Sequence, residues 1–173
     1  VVVQRVTQAA VRVDGETVGQ IGRGLLALVG FRPGDGEAEL GWMAAKLVGL
    51  RLFEDADDRM NLSLEDVDGE LLLVPQFTLY GDCRKGRRPG FSDALAPDQA
   101  TVLFDRFCDL CARSGRPVGR GVFGAHMQVS LVNDGPVTLI IDRDQGSVIG
   151  AGRTVSMRES HASPTQHAKR SGA

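Results

Sequence analysis

Hydrophobic spacing constrains this chain more than any motif does. Up to Asp142 only two stretches keep helical periodicity, and strand-length apolar runs surround them. Across residues 36–51, Leu40, Met43, Ala44, Leu47 and Leu50 recur at helical steps. Across residues 97–114, Val102, Leu103, Phe107, Leu110 and Cys111 do the same, with Pro97 opening the segment and Gly115 following it. The other apolar segments are short. Residues 1–6 alternate, residues 10–14 run at strand length, and Asp14-Gly15 predicts a tight turn into a strand at 17–21. Residues 25–31 are a continuous apolar run closed by Pro33-Gly34, as expected of a strand buried on both faces. Asp68-Gly69 predicts a turn into a strand at 70–77, and residues 127–132 and 137–142 predict a closing strand pair across Asn133-Asp134-Gly135-Pro136. Two separated helices without regular βαβ alternation predict an α+β fold, with one domain over residues 1–142. Residues 143–173 lose periodicity and are expected to be a disordered tail.

The 173 residues are 42% apolar and 24% charged, the balance of an ordinary globular domain. No apolar stretch approaches the ~18–20 residues that span a bilayer, and the first residues alternate instead of forming a signal peptide. Three cysteines without a secretory context predict free thiols and a cytoplasmic protein. The net charge of −2 divides into about −5 on residues 1–142 and +3 on the tail. An acidic body is a poor general binder of polyanions, so any nucleic-acid contact must be local.

Side chains for hydrolytic chemistry are scarce. His126 is the only histidine before the tail, which excludes a three-His zinc site there; it reads better as a pocket-lining residue than as a general base. Cys108 and Cys111 form a C-x-x-C inside the second helix and read as apolar filling. Cys83 lies in a Gly-, Pro- and Arg-rich loop at 80–96, the length of loop that usually carries function. That loop holds Arg84, Lys85, Arg87 and Arg88, then Phe91: four cations and an aromatic, suited to phosphate and base contact. No metal or other cofactor is expected. Two segments remain, Val74-Pro75-Gln76-Phe77-Thr78-Leu79 and Asn133-Asp134-Gly135-Pro136-Val137-Thr138, whose working parts would be mostly backbone amides and carbonyls.

Gln4-Arg5-Val6, Phe53-Glu54-Asp55, Met60-Asn61-Leu62-Ser63, Gln76-Phe77-Thr78-Leu79-Tyr80, Lys85-Gly86-Arg87-Arg88-Pro89, Phe123-Gly124-Ala125-His126-Met127 and Asn133-Asp134-Gly135-Pro136-Val137-Thr138 together resemble the D-aminoacyl-tRNA deacylases. The resemblance implies mostly antiparallel strands in two layered sheets with two helices packed on one side. It also implies a homodimer that hydrolyses the ester joining a D-amino acid, or glycine on a non-cognate tRNA, to the tRNA 3′ end. Gly135 and Pro136, joined by a cis bond, would enter the partner's site and reject L side chains. Gln76, Phe77 and Thr78 would border the scissile carbonyl. Arg84, Lys85, Arg87, Arg88, Phe91, His126, Met127 and Asn133 would contact substrate or tRNA. Pro75 stands where the family usually has Ser, a departure that raises relaxed chirality as an alternative. Two further alternatives are a noncatalytic RNA-end binding module and a thiol hydrolase using Cys83 and His126.

Overall fold

The structure, a computed structural model, describes residues 1–144 and 147–149. Strand β1 (Val2–Val13) turns through Asp14 and Gly15, both at positive φ, into β2 (Glu16–Ile21) and then β3 (Gly24–Val29). Helix α1 (Glu37–Gly49), the short ribbon β4 (Phe53–Glu54) and β5 (Met60–Leu62), and β6 (Glu70–Pro75) follow. A 3₁₀ turn (Phe77–Tyr80) leads through a long loop to α2 (Pro97–Ala112). The chain closes with β7 (Val118–Arg120), β8 (Met127–Ile140), β9 (Asp142–Asp144) and β10 (Ser147–Ile149).

The main sheet runs β2-β1-β3-β6-β7, with β8 on the other edge of β1. Pairing is antiparallel around β1 and parallel from β3 to β6 to β7. The two ends of the path meet. A Cβ on Gly19 would lie 2.6 Å from the Arg120 carbonyl, so glycine is what lets β2 and β7 approach. The two layers are therefore facing walls of one curled sheet. Between them sit Val6, Ala9, Val11, Ile21, Leu26, Leu72 and Val74. The alternate positions of the same strands, including Leu25, Ala27, Val29, Leu71 and Leu73, pack outward against both helices. That double burial explains the unbroken apolar run of β3, each fully buried Leu contributing about 1.5–3 kcal/mol.

Three local expectations change. Residues 1–14 hold one continuous strand, not two. Residues 127–140 likewise form the single strand β8 in place of a hairpin, because both halves pair with β1. On α2 the inward arc is Ala100, Phe104, Phe107, Cys108 and Cys111, whereas Val102 is exposed. Strand β7 was not legible beforehand: it is three residues long and only half-buried. Beyond the 142 boundary, β9 pairs with β10; the remainder of the expected disordered tail lies outside the described residues. Among the described residues no helix is long and apolar enough to cross a membrane.

Candidate active site

β6 is the central parallel strand, and its inner and outer neighbours bury it down to Pro75. At its end the Gln76 amide donates to the Val29 carbonyl at 2.7 Å, extending the ladder one residue. The chain then turns sharply into the 3₁₀ turn, where Leu79 N–H donates to Gln76 O and Gly81 N–H to Thr78 O. Gly30 makes space for this turn, since a Cβ there would lie 2.9 Å from the Gln76 carbonyl. The Gln76 side-chain amide donates to Thr78 Oγ1, and both groups remain accessible.

Pro75, Gln76 and Phe77 line one wall of a cleft of about 610 Å³. Phe91, together with residues 94–97 before and at the start of α2, adds a second wall; residues 123–127 and Val129 add a third. The Phe77 and Phe91 rings meet edge to face, with centroids 5.2 Å apart. The third wall lies close to the first because Gly121 has no side chain. A Cβ at that position would meet Met127 Sδ at 2.8 Å and Pro75 Cδ at 3.2 Å. The structure thus brings Gln76, Phe77, Phe91, His126 and Met127 into one cavity, with Thr78 joined to it through Gln76.

Gly135 and Pro136 are elsewhere, on β8. Val6 pairs with Asn133 and Gln4 with Thr138, so three extra residues leave the ladder as an excursion. The Gly135–Pro136 bond is cis, and Gly135 has φ +124°. Both residues are exposed. The excursion is held from beneath by Arg5, which is only 4% exposed. Its guanidinium donates to the carbonyls of Leu52 at 2.7 Å and Asp134 at 3.2 Å, and pairs with the Asp134 and Glu54 carboxylates. Asn133 closes the same excursion by accepting from Val137 N–H at 2.9 Å and donating to Thr138 Oγ1.

Three contacts refine this geometry. The Asn133 side chain makes two hydrogen bonds within the excursion. Arg84 forks onto Asp82, with Nε and Nη2 each 2.8 Å from a carboxylate oxygen, because only one residue separates them in a tight bend. The Gln76 amide belongs to the sheet, which leaves the Phe77 and Thr78 amides, at the start of the 3₁₀ turn, as backbone donors. Arg5 is the anchor of the excursion that sequence reasoning undervalued: a charge within the apolar alternation of residues 1–6 was its signal.

Cysteine chemistry finds little support. Burial pushes both the Cys108 and Cys111 thiols up to about 12, where the nucleophilic thiolate is negligible at neutral pH. Cys83 is exposed in a separate depression with Asp82, Arg84 and Asp93, while His126 opens into the cleft. Among the described residues no three His, Cys, Asp or Glu side chains converge as metal ligands.

Comparison with known proteins bears on the same stretch of chain. The sequence profile of the family described as D-Tyr-tRNA(Tyr) deacylase matches residues 2–142. A D-aminoacyl-tRNA deacylase of Desulfitobacterium hafniense is 58% identical over 144 residues, covering 83% of this chain and 97% of the relative. One from Geobacter sulfurreducens is 55% identical over 141 residues, covering 82% and 93%. Among solved structures, the c-Myc DNA Unwinding Element Binding Protein superposes with a TM-score of 0.78 at 40% identity, over 83% of this chain and 98% of its own. A probable eukaryotic D-amino acid tRNA deacylase, at 22% identity and a TM-score of 0.67, shares the fold. With the profile spanning the curled sheet, both helices, the Gln76 turn and the Gly135–Pro136 excursion, the chain belongs to the D-aminoacyl-tRNA deacylase family.

Proposed function

We propose that this protein hydrolyses the ester between a D-amino acid and the 3′-terminal adenosine of tRNA, and that it accepts glycine on a non-cognate tRNA. The observation that carries the reading is the Gln76–Thr78 turn: a rigid strand end, opening into a cleft large enough for a nucleoside, with two backbone amides left outside the sheet. An aminoacyl ester is already activated, so positioning and oxyanion stabilisation suffice. Water adds to the ester carbonyl, and the Phe77 and Thr78 amides receive the developing oxyanion; one such donor contributes ~2.7–4 kcal/mol. The 3′ oxygen leaves and takes a proton from the neighbouring 2′-hydroxyl, which recovers one from the attacking water. Thr78, held by Gln76, positions the turn.

Handedness is assigned to Gly135 and Pro136. Neither lines the cleft of its own chain, whereas both project from a strand that, among the described residues, pairs with β1 alone. A homodimer that inserts this excursion into the second copy's cleft places a non-yielding backbone against the α-carbon. The exposed Val129, Val132 and Ile140 of β8 suit such an interface. Phe91, His126 and Met127 line the nucleoside space, Lys85, Arg87 and Arg88 meet the tRNA, and the site of action is the cytoplasm.

The test is deacylation of D-Tyr-tRNA beside L-Tyr-tRNA. Release of the D-amino acid alone is expected. Equal rates would overturn the clamp and favour relaxed chirality through Pro75; tRNA binding without turnover would favour the RNA-end binding module.

A further inference from the structure

Residues 82–90 form a closed loop. Asp82 and Gly90 exchange both backbone hydrogen bonds, at 2.7 and 2.9 Å, and Gly86 turns the tip at φ +72°. Phe91 follows at once, in the cleft wall and against Phe77. The loop base is therefore fixed to the cavity that receives the reacting end. Within the loop the four cations are not equivalent. Arg84 engages both oxygens of Asp82 with its fork, and the Arg84 amide donates to the same carboxylate at 2.9 Å. Asp93 adds a second negative charge near it. Lys85, Arg87 and Arg88 are exposed, and among the described residues none has an ion-pair partner within 4.0 Å. A local cluster of free cations on an acidic body selects a polyanion only where the loop is.

We infer that Lys85, Arg87 and Arg88 neutralise the backbone phosphates of the unpaired nucleotides just before the terminal adenosine, while Arg84 is a positioning residue that braces the loop. The inference rests on the proposed substrate, because the terminal nucleoside in the cleft is what brings those phosphates to the loop. It predicts a count. Single-stranded contacts contribute a log–log salt slope of about −0.7 per phosphate, so three contacts give about −2.

The experiment uses uncharged tRNA, so it needs no ester and no turnover. Binding by fluorescence anisotropy is followed from 20 to 200 mM salt for the full-length protein. The expected slope is about −2, falling towards zero in the Lys85→Ala/Arg87→Ala/Arg88→Ala variant and in tRNA trimmed of its unpaired 3′ nucleotides. Arg84→Ala is expected to weaken binding a few-fold with the slope retained, since it removes a brace and not a phosphate contact. Thermal melting like the parent's shows that the loop variants fold. A triple variant that keeps the parental slope, trimmed tRNA that keeps it, absent binding at 20 mM salt, or Arg84→Ala removing a full increment of about 0.7 would each overturn the inference. Failed deacylation with these slopes intact would sink the ester reading alone.

Discussion

The Gln76 turn and the Gly135–Pro136 excursion are both backbone devices, yet they are made rigid in opposite ways. The turn ends a strand buried along nearly its whole length, with β3 and β7 on its flanks and apolar side chains on both faces. Its position is a by-product of the core, and many residues share the work. The excursion leaves an edge strand with Val137 as its one buried apolar side chain; Arg5 and Asn133 hold the rest through directed hydrogen bonds. A backbone set by packing degrades gradually under substitution, whereas one set by a few polar contacts fails at single residues.

The sharpest break of that contrast is Gly135→Ala. A Cβ there would lie 2.8 Å from Val137 Cγ2 and 3.1 Å from Arg5 Nη2, on a residue at φ +124°. About 1–3 kcal/mol of strain should lower D-Tyr-tRNA deacylation roughly 10- to 100-fold and take up to the same amount from the unfolding free energy. Next comes Arg5→Met, which leaves the Leu52 and Asp134 carbonyls without their donor. Glu54 and Asp134 are about half exposed and can be hydrated, so the loss in urea unfolding should be about 2 kcal/mol, accompanied by lost chirality. On the packed side, Phe77→Ala or Phe91→Ala forfeits one edge-to-face contact, about 1 kcal/mol, and should raise KM some fivefold while leaving the D-to-L ratio intact. If Phe77→Ala erased that ratio, the division of labour would be wrong.

Two smaller effects test the surroundings. Thiol alkylation of the folded protein at pH 8 should modify Cys83 and spare Cys108 and Cys111, whose burial holds them up at about 12. The Arg84 side chain, then its amide, depresses the Asp82 carboxyl to about 2 from an ordinary 3.8. A folded value below the unfolded one stabilises the loop above pH 3.8, and that contribution fades only as pH falls through about 2. Amide exchange at Gly90, corrected for intrinsic rate, should therefore show the same protection at pH 5 and pH 7.

The sequence carried the packed region further than the excursion. Leu40, Met43, Ala44 and Leu47 declare α1 by spacing alone, and they are the residues buried there. The run at 25–31 declares a doubly buried strand for the same reason: burial writes periodicity. Asn133-Asp134-Gly135-Pro136, by contrast, has every local mark of a hairpin turn, and the pairing of both β8 halves with β1 is a nonlocal fact that no turn dipeptide encodes. Arg84 and Asp82 show the limit from the other side. Composition counts four cations in the loop, but which of them is already paired depends on a bend that composition does not see.

The excursion in β8 has its two ends secured to Val6 and Gln4, two residues apart on one strand. Its mouth is thus a fixed gauge, and the ladders on either side do not depend on what lies between. On the proposed reading, the segment assigned to handedness thus hangs from the ladder at two fixed points, with Arg5 as the residue common to the strand and to the excursion.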